Sequence, residues 1–194
     1  MNFLLNLHNK PINSLSNSLE PWLLPTLARF TFAATLLMYF WVSANLKISF
    51  PEFEGLTGFI AAALSPESYK LTFGAYGQIF PAAFEAVGYD PAGLSLFQKI
   101  IAHAGTYAEF ILPGLLLIGL FTRLAALGMI GFTLVQSYVD IYGHMADETA
   151  IGTWFDRIAD SQIMDQRLFW ICLFALIFLR GAGPLSADRL IGLK

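Results

Sequence analysis

Four long apolar runs dominate the chain and predict four transmembrane helices. They cover approximately residues 22–44, 100–120, 123–143 and 168–185. An α-helix rises about 1.5 Å per residue, so a run of about 20 residues matches a hydrocarbon core about 30 Å thick. Phe121 and Thr122 leave only a short turn between the second and third runs. We therefore predict that these two helices form an antiparallel hairpin.

Two long segments, residues 45–99 and 144–167, are predicted to lie outside the hydrocarbon core. The first contains the apolar pieces Leu56–Leu64 and Leu71–Gly88, which are too short, or too interrupted by glycine and proline, to cross a bilayer. We expect them to form interfacial or re-entrant helices, and the pattern leaves open whether Leu56–Gly88 crosses the membrane.

The fold class predicted by this pattern is an all-α integral membrane protein. It is a single domain over residues 1–194, a four-transmembrane-helix bundle with interfacial helices in the long loop between spans one and two. The fourth run is short, so Arg167 and Arg180 at its flanks are expected to snorkel to the lipid headgroups. Lys and Arg are denser in the tails and the 121–123 turn than in the long loops, which favours cytoplasmic termini.

Composition supports the membrane assignment and excludes one class of partner. Hydrophobic residues make up 56% of the 194 residues and charged residues 13%, so the apolar surface needs a lipid bilayer to cover it. The net charge is −3 and the chain has no basic run, which excludes the electrostatic footprint of a nucleic-acid-binding protein. Because Cys172 is the single cysteine, any redox role requires a bound cofactor or a partner.

The polar residues within the apolar runs are the candidate functional residues. Glu109 lies near the middle of the second run, where an unpaired carboxylate costs at least about 2.5 kcal/mol. The third run carries Gln136, Asp140 and His144 at four-residue spacing, which places them on one helical face. Lys47 follows the outer end of the first run. Acid, base, phenol and imidazole groups are therefore expected to collect in the outer half of the bundle.

We predict that His103, Tyr107, Glu109, Asp140 and His144 converge on one cavity there. Glu109 and Asp140 are the candidate catalytic residues, acting as a proton relay. His103, Tyr107, Glu109 and His144 are the candidate cofactor-binding residues, since a quinone needs an apolar slot with hydrogen-bond donors and a titratable group. The sequence does not identify the cofactor beyond this match to quinone chemistry.

Three sequence blocks resemble the DoxX family of small bacterial inner-membrane proteins. They are LARF at 27–30, AEFILPGLLLIGLFTRLAAL at 108–127 and RGAGPLSADRL at 180–190. The most specific part is the tail pattern G-x-G-x-x-S-x-D, formed by Gly181, Gly183, Ser186 and Asp188. The resemblance implies a four-helix bundle in the inner (plasma) membrane. Members include subunits of thiosulfate:quinone oxidoreductases, parts of other membrane oxidoreductase complexes and companions of iron-dependent peptide-modifying enzymes.

The function expected from the resemblance is that of an accessory or quinone-interacting subunit of a membrane oxidoreductase, with a protein partner from an oxidoreductase or peptide-modification system. The alternative is a non-catalytic membrane carrier that docks a partner or handles a small molecule or metal ion. No residue is assigned as a metal ligand, because His103, Asp140 and His144 match no specific ligand spacing. In a purely structural interpretation, Glu109 pairs with Arg29 or bonds a neighbouring helix.

Overall fold

The computed structural model describes residues 2–49, 52, 54–65 and 69–193, and the regular elements in those ranges are helices. In chain order they are α1 (Asn2–Thr35), α2 (Leu37–Lys47), α3 (Gly55–Leu64), α4 (Phe73–Ile79), α5 (Pro81–Ala86), α6 (Leu96–Ile118), α7 (Thr122–Tyr138), α8 (Glu148–Ile151), α9 (Met164–Arg180) and α10 (Ala187–Leu190). A π-helical turn, Val139–Gly143, extends α7. The predicted all-α class is confirmed.

Two of these segments are long and apolar enough to cross a bilayer: α6, with 23 residues, and Thr122–Gly143, with 22. A third candidate consists of two helices, Asn9–Thr35 and Leu37–Lys47, which together are long and apolar enough to cross a bilayer. The two helices are bent by 45° where they join. The described chain therefore has two candidate membrane spans, or three if the bent pair is one span.

The ends of α6 have clear local causes. Ser95 and Gln98 form a capping box, in which the Ser95 hydroxyl accepts from the backbone N–H of Gln98 at 3.3 Å, and the Gln98 side chain accepts from that of Ser95 at 2.9 Å. Gly119, with φ +69°, ends the helix in the left-handed conformation. The helix therefore begins four residues before the predicted Ile100.

The other two predicted spans differ from the prediction in their bounds. The helix before the bend begins at Asn2, well before the predicted start at residue 22, and continues through Pro21 and Pro25, although proline usually marks a helix start. α9 ends at Arg180, before the predicted residue 185, because Gly181 has φ +78° and leaves the helical path. At 17 residues, α9 is about 25 Å long.

The core lies where α1, α2, α6, α7 and α9 pack together. Phe32 and Phe174 are fully buried with ring centroids 5.8 Å apart, which joins α1 to α9. Trp41 stacks on Phe110 at 5.7 Å and donates its indole N–H to the carbonyl of that residue at 3.1 Å. This contact holds α2 along α6 and so determines which side chains of the two helices meet.

The loop over residues 45–99 holds short helices. α3 has 10 residues and spans about 15 Å, and α4 and α5 are shorter. Within its described residues, therefore, no helix of this loop is long enough for a fifth span.

The C-terminal tail folds back onto the turn between α6 and α7. The Asp188 carboxylate accepts hydrogen bonds from the backbone N–H groups of Phe121, at 2.7 Å, and Thr122, at 2.9 Å. Backbone N–H groups at the start of a helix have no acceptor within the helix, so Asp188 supplies one for α7. Ser186 caps α10 by accepting from the backbone N–H of Arg189 at 3.3 Å. The tail motif is therefore explained by helix capping.

Arg29 closes the same end of the bundle from the side of α1. Its guanidinium donates to the carbonyls of Leu116, at 3.0 Å, and Leu117, at 2.6 Å, which are orphan acceptors at the end of α6. It also donates to the carbonyl of Ala182 at 2.9 Å. The role of Arg29 is therefore to join the tail to α6, not to pair with Glu109.

Replacing Gly119 by alanine is expected to lower the free energy of unfolding by about 2 kcal/mol. A Cβ there would lie 2.6 Å from the Ser186 Cβ and 2.8 Å from the Arg29 Cζ, in addition to the strain of φ +69°. Gly192→Ala is the control, because Gly192 has φ +75° but nothing within 4 Å of its Cβ position. Denaturant unfolding in detergent micelles measures both; equal losses would show that the tail contact contributes nothing.

Candidate functional site

A buried ion pair joins α2 to α6. The Lys47 ammonium donates to a carboxylate oxygen of Glu109 and, at 3.1 Å, to the Ser43 hydroxyl. Only 6% of Lys47 and 1% of Glu109 is exposed. Glu109 lies about 20 Å from one end of α6 and about 14 Å from the other, so its charge is compensated deep in a candidate span.

A second ion pair joins α9 to the end of α7. The Arg167 guanidinium donates to a carboxylate oxygen of Asp140 and, at 3.1 Å, to the Ser137 hydroxyl. Arg167 is buried, with 6% exposed, whereas the Asp140 side chain keeps 30% of its surface. The prediction that Arg167 snorkels to the headgroups is wrong, because the guanidinium finds a carboxylate inside the bundle.

Between α6 and α7 lies a cavity of about 430 Å³, which we call the α6–α7 cavity. Its polar lining residues are Lys47, Gln78, Glu109, Gln136 and Asp140. Its other lining residues are apolar or glycine: Ile79, Ile101, Ala104, Gly105, Ala108, Leu112, Gly128, Gly131, Phe132, Val135 and Val139. A few convergent polar groups in an apolar pocket of this size are typical of a site for a small organic ligand.

The amide of Gln136 adds an unsatisfied group to this lining. Its nitrogen donates to the Tyr39 hydroxyl at 2.8 Å, while its oxygen is buried without a hydrogen-bond partner. A buried acceptor left unpaired costs about 1–3 kcal/mol.

Of the five residues predicted to converge, the structure brings Glu109 and Asp140 to the α6–α7 cavity. His103, Tyr107 and His144 are not among its described lining residues. Successive helical residues are about 100° apart, so His103 and Tyr107 project about 120° and about 160° away from Glu109 around α6. The expected convergence is therefore wrong for these two residues, which lie on other faces of α6.

The side chains of His103, Tyr107 and His144 are bound to backbone carbonyls instead. His103 Nδ1 donates to the carbonyl of Lys99 at 2.8 Å, and the Tyr107 hydroxyl donates to that of Tyr69 at 2.9 Å. His144 follows the π-helical turn, and its Nε2 donates to the Gln78 carbonyl at 2.9 Å.

Lys47 and Arg167, the two cations that meet the predicted carboxylates, are absent from the predicted site. A carboxylate within an apolar run needs a cation nearby to compensate its charge. The sequence carries that signal, but it does not say which lysine or arginine comes within reach. In the part of the chain described, no three His, Cys, Asp or Glu side chains lie close enough together to hold a metal ion.

The chain matches no protein-family model, no curated protein and no solved structure. The site itself is a largely apolar cavity next to a buried ammonium, two carboxylates and an unpaired amide oxygen.

Proposed function

We propose that this chain is a membrane subunit of an oxidoreductase system and binds a quinone headgroup in the α6–α7 cavity. The observation that carries the proposal is the cavity itself, about 430 Å³ in volume, with Lys47, Glu109, Gln136 and Asp140 in an otherwise apolar wall. The resemblance of the sequence to the DoxX family supports the same function.

The groups present fit the two oxidation states of such a headgroup. A quinone presents two carbonyl acceptors on an apolar ring, and the Lys47 ammonium is a donor beside the cavity. A quinol presents hydroxyl donors, and the partly exposed carboxylate of Asp140 in the same lining is a matching acceptor. Phe132 and Leu112 provide apolar walls for the ring.

Bound quinone would supply two-electron, two-proton redox chemistry, and the two carboxylates would move the protons. Asp140 is partly exposed and so can exchange a proton with the aqueous side. Glu109 is buried, and the Lys47 ammonium holds its carboxylate at the cavity wall. Asp140 is thus the entry group and Glu109 the inner group of the proposed relay.

The proposed topology is a four-span bundle in the bacterial inner membrane, with the bent α1–α2 pair, α6, α7 and α9 as spans. α3, α4 and α5 would lie at the outer interface. Arg123, Arg180 and Arg189 occupy one end of the bundle, which supports cytoplasmic termini under the positive-inside rule. The resemblance adds a protein partner from an oxidoreductase or peptide-modification system.

Gly131→Leu is expected to reduce co-purified quinone at least about tenfold, since filling a site removes the binding volume. Gly131 lines the α6–α7 cavity, and nothing lies within 4 Å of its Cβ position, so a larger side chain can enter without a backbone clash. The measurement is chromatography of quinone extracted from the full-length protein purified in mild detergent, per mole of protein. Leu134→Phe is the control, because Leu134 is exposed on α7 and absent from the cavity lining.

Equal quinone in the wild type and both variants would contradict the proposed site, and wild-type protein without quinone would contradict the function. That second result would favour the non-catalytic carrier. Glu109 and Asp140 are both paired with cations, so the cavity lining is close to electroneutral and suits an uncharged small molecule, whether a quinone or another carried compound. Elemental analysis of the same preparation tests whether the carried species is a metal ion.

A further inference from the structure

A second cavity lies at the opposite end of α7, where the C-terminal tail closes the bundle. It has a volume of about 710 Å³, and we call it the tail cavity. Three arginines, Arg123, Arg180 and Arg189, are among its lining residues, against the single carboxylate of Asp188. Neither the proposed function nor the predicted site uses these groups.

Two of the three guanidinium groups are available to a ligand. In the described chain, the side chains of Arg123 and Arg189 have neither a carboxylate nor a hydrogen-bond partner. Arg180 pairs with Glu20 of α1. The charge of the Asp188 carboxylate is opposed by a fourth cation, Arg29, and its oxygens accept from the backbone N–H groups of the α6–α7 turn. The tail cavity therefore has an excess of positive charge.

The Arg123 side chain lies against the residue that follows α9. Its guanidinium passes over Gly181, where a Cβ would lie 3.4 Å from Nε and 3.5 Å from Nη2. Arg123 follows the first residue of α7, and Arg180 is the last residue of α9. The cations thus lie at one level, at the ends of two packed helices, where a candidate span meets the headgroup region.

The remaining lining distinguishes a lipid from a free anion. Phe121, Leu124 and Leu193 also line the tail cavity, and each is exposed. Apolar surface beside arginines suits a phosphodiester that carries acyl chains, whereas a free inorganic anion gains nothing from it. We propose that the tail cavity binds the headgroup of an anionic phospholipid, with Arg123 and Arg189 as its phosphate ligands.

The test compares phosphatidylglycerol with phosphatidylcholine on the full-length protein in neutral detergent, by native mass spectrometry. We expect a clear preference for phosphatidylglycerol, and we expect Arg123→Gln/Arg189→Gln to weaken its binding about twenty-fivefold, about fivefold per cation. Arg157→Gln is the matched control, since Arg157 is an exposed loop arginine outside the cavity. Arg123→Lys/Arg189→Lys, which keeps the charge, should retain most of the binding.

Three results would overturn the inference. They are equal binding of the two lipids by the wild type, undiminished phosphatidylglycerol binding by the Gln double variant, and displacement of the lipid by inorganic phosphate alone, which would assign the cavity to a free anion. Circular dichroism of the double variant checks that it keeps its helices, and the Lys double variant provides the comparison if it does not. Co-purified quinone should be unchanged, because the tail cavity shares no lining residue with the α6–α7 cavity.

Discussion

Replacing Lys47 by methionine is expected to lower the free energy of unfolding by about 3–5 kcal/mol. The change removes the cation that compensates Glu109, which has only 1% of its surface exposed, and leaves a buried carboxylate without its charge partner. Methionine preserves most of the side-chain volume, so the loss reports the charge and not a cavity. Denaturant unfolding of the purified protein in micelles provides the measurement.

The double variant Lys47→Met/Glu109→Leu separates the cost of an orphaned charge from the contribution of the pair. Replacing a buried ion pair by apolar residues of similar size is often neutral, so we expect the double variant to unfold within about 1 kcal/mol of the wild type. Lys10→Met is the control, because Lys10 is exposed on α1. A double variant at least as unstable as Lys47→Met would show that the pair is not the reason for the loss.

A stable double variant would also bear on function. It would retain the fold but present no ammonium and no carboxylate at that wall of the α6–α7 cavity. If the quinone headgroup bonds to Lys47, such a protein should co-purify with less quinone than the wild type. Structural and functional contributions of the pair are therefore measurable in one set of variants.

The spans could be predicted where the sequence has both a long apolar run and an end signal. α6 and α7 follow from their hydropathy and from the turn at Phe121. The helix that begins at Asn2 could not be bounded in this way, because prolines that usually mark a helix start lie inside it. The end of α9 at Gly181 depends on a left-handed φ, which the apolar pattern does not encode.

The sequence predicts how far along α6 each candidate residue lies, but not which neighbouring helix its side chain faces. The distance of a residue from the ends of α6 follows from counting residues, and this count correctly identifies Glu109 as buried within a candidate span. Direction around the helix depends on how α2 packs along α6, which brings Lys47 to Glu109. His103 and Tyr107 lie on the same helix but on other faces, and His144 bonds the carbonyl of Gln78 in α4, a contact that helical spacing does not encode.

Removing the carboxylate of Asp188 is the change with the largest expected effect outside the candidate spans. Asp188→Ala leaves the backbone N–H groups of Phe121 and Thr122 without their charged acceptor, at a cost of about 3 kcal/mol in the free energy of unfolding. Phe121 has φ +48°, so the turn between the two helices needs this support to keep a non-glycine residue in the left-handed region. Asp160→Ala is the control, because Asp160 lies in an exposed loop.

The effect of Asp188→Ala should depend on pH, with a definite sign. Burial raises the pKa of Asp188, but hydrogen bonds from Thr122 and Phe121 and the charge of Arg29 outweigh it, and the pKa lies below its ordinary value of 3.8. A lowered pKa in the folded state means that the carboxylate stabilises the protein fully above 3.8 and loses this effect as the pH falls through the folded-state pKa. The stability difference between wild type and Asp188→Ala should therefore be constant near neutral pH and shrink below about pH 4. Unfolding curves across this range in an acid-stable detergent test it, and a difference that grows on acidification would exclude the carboxylate as the clasp between the tail and the α6–α7 turn.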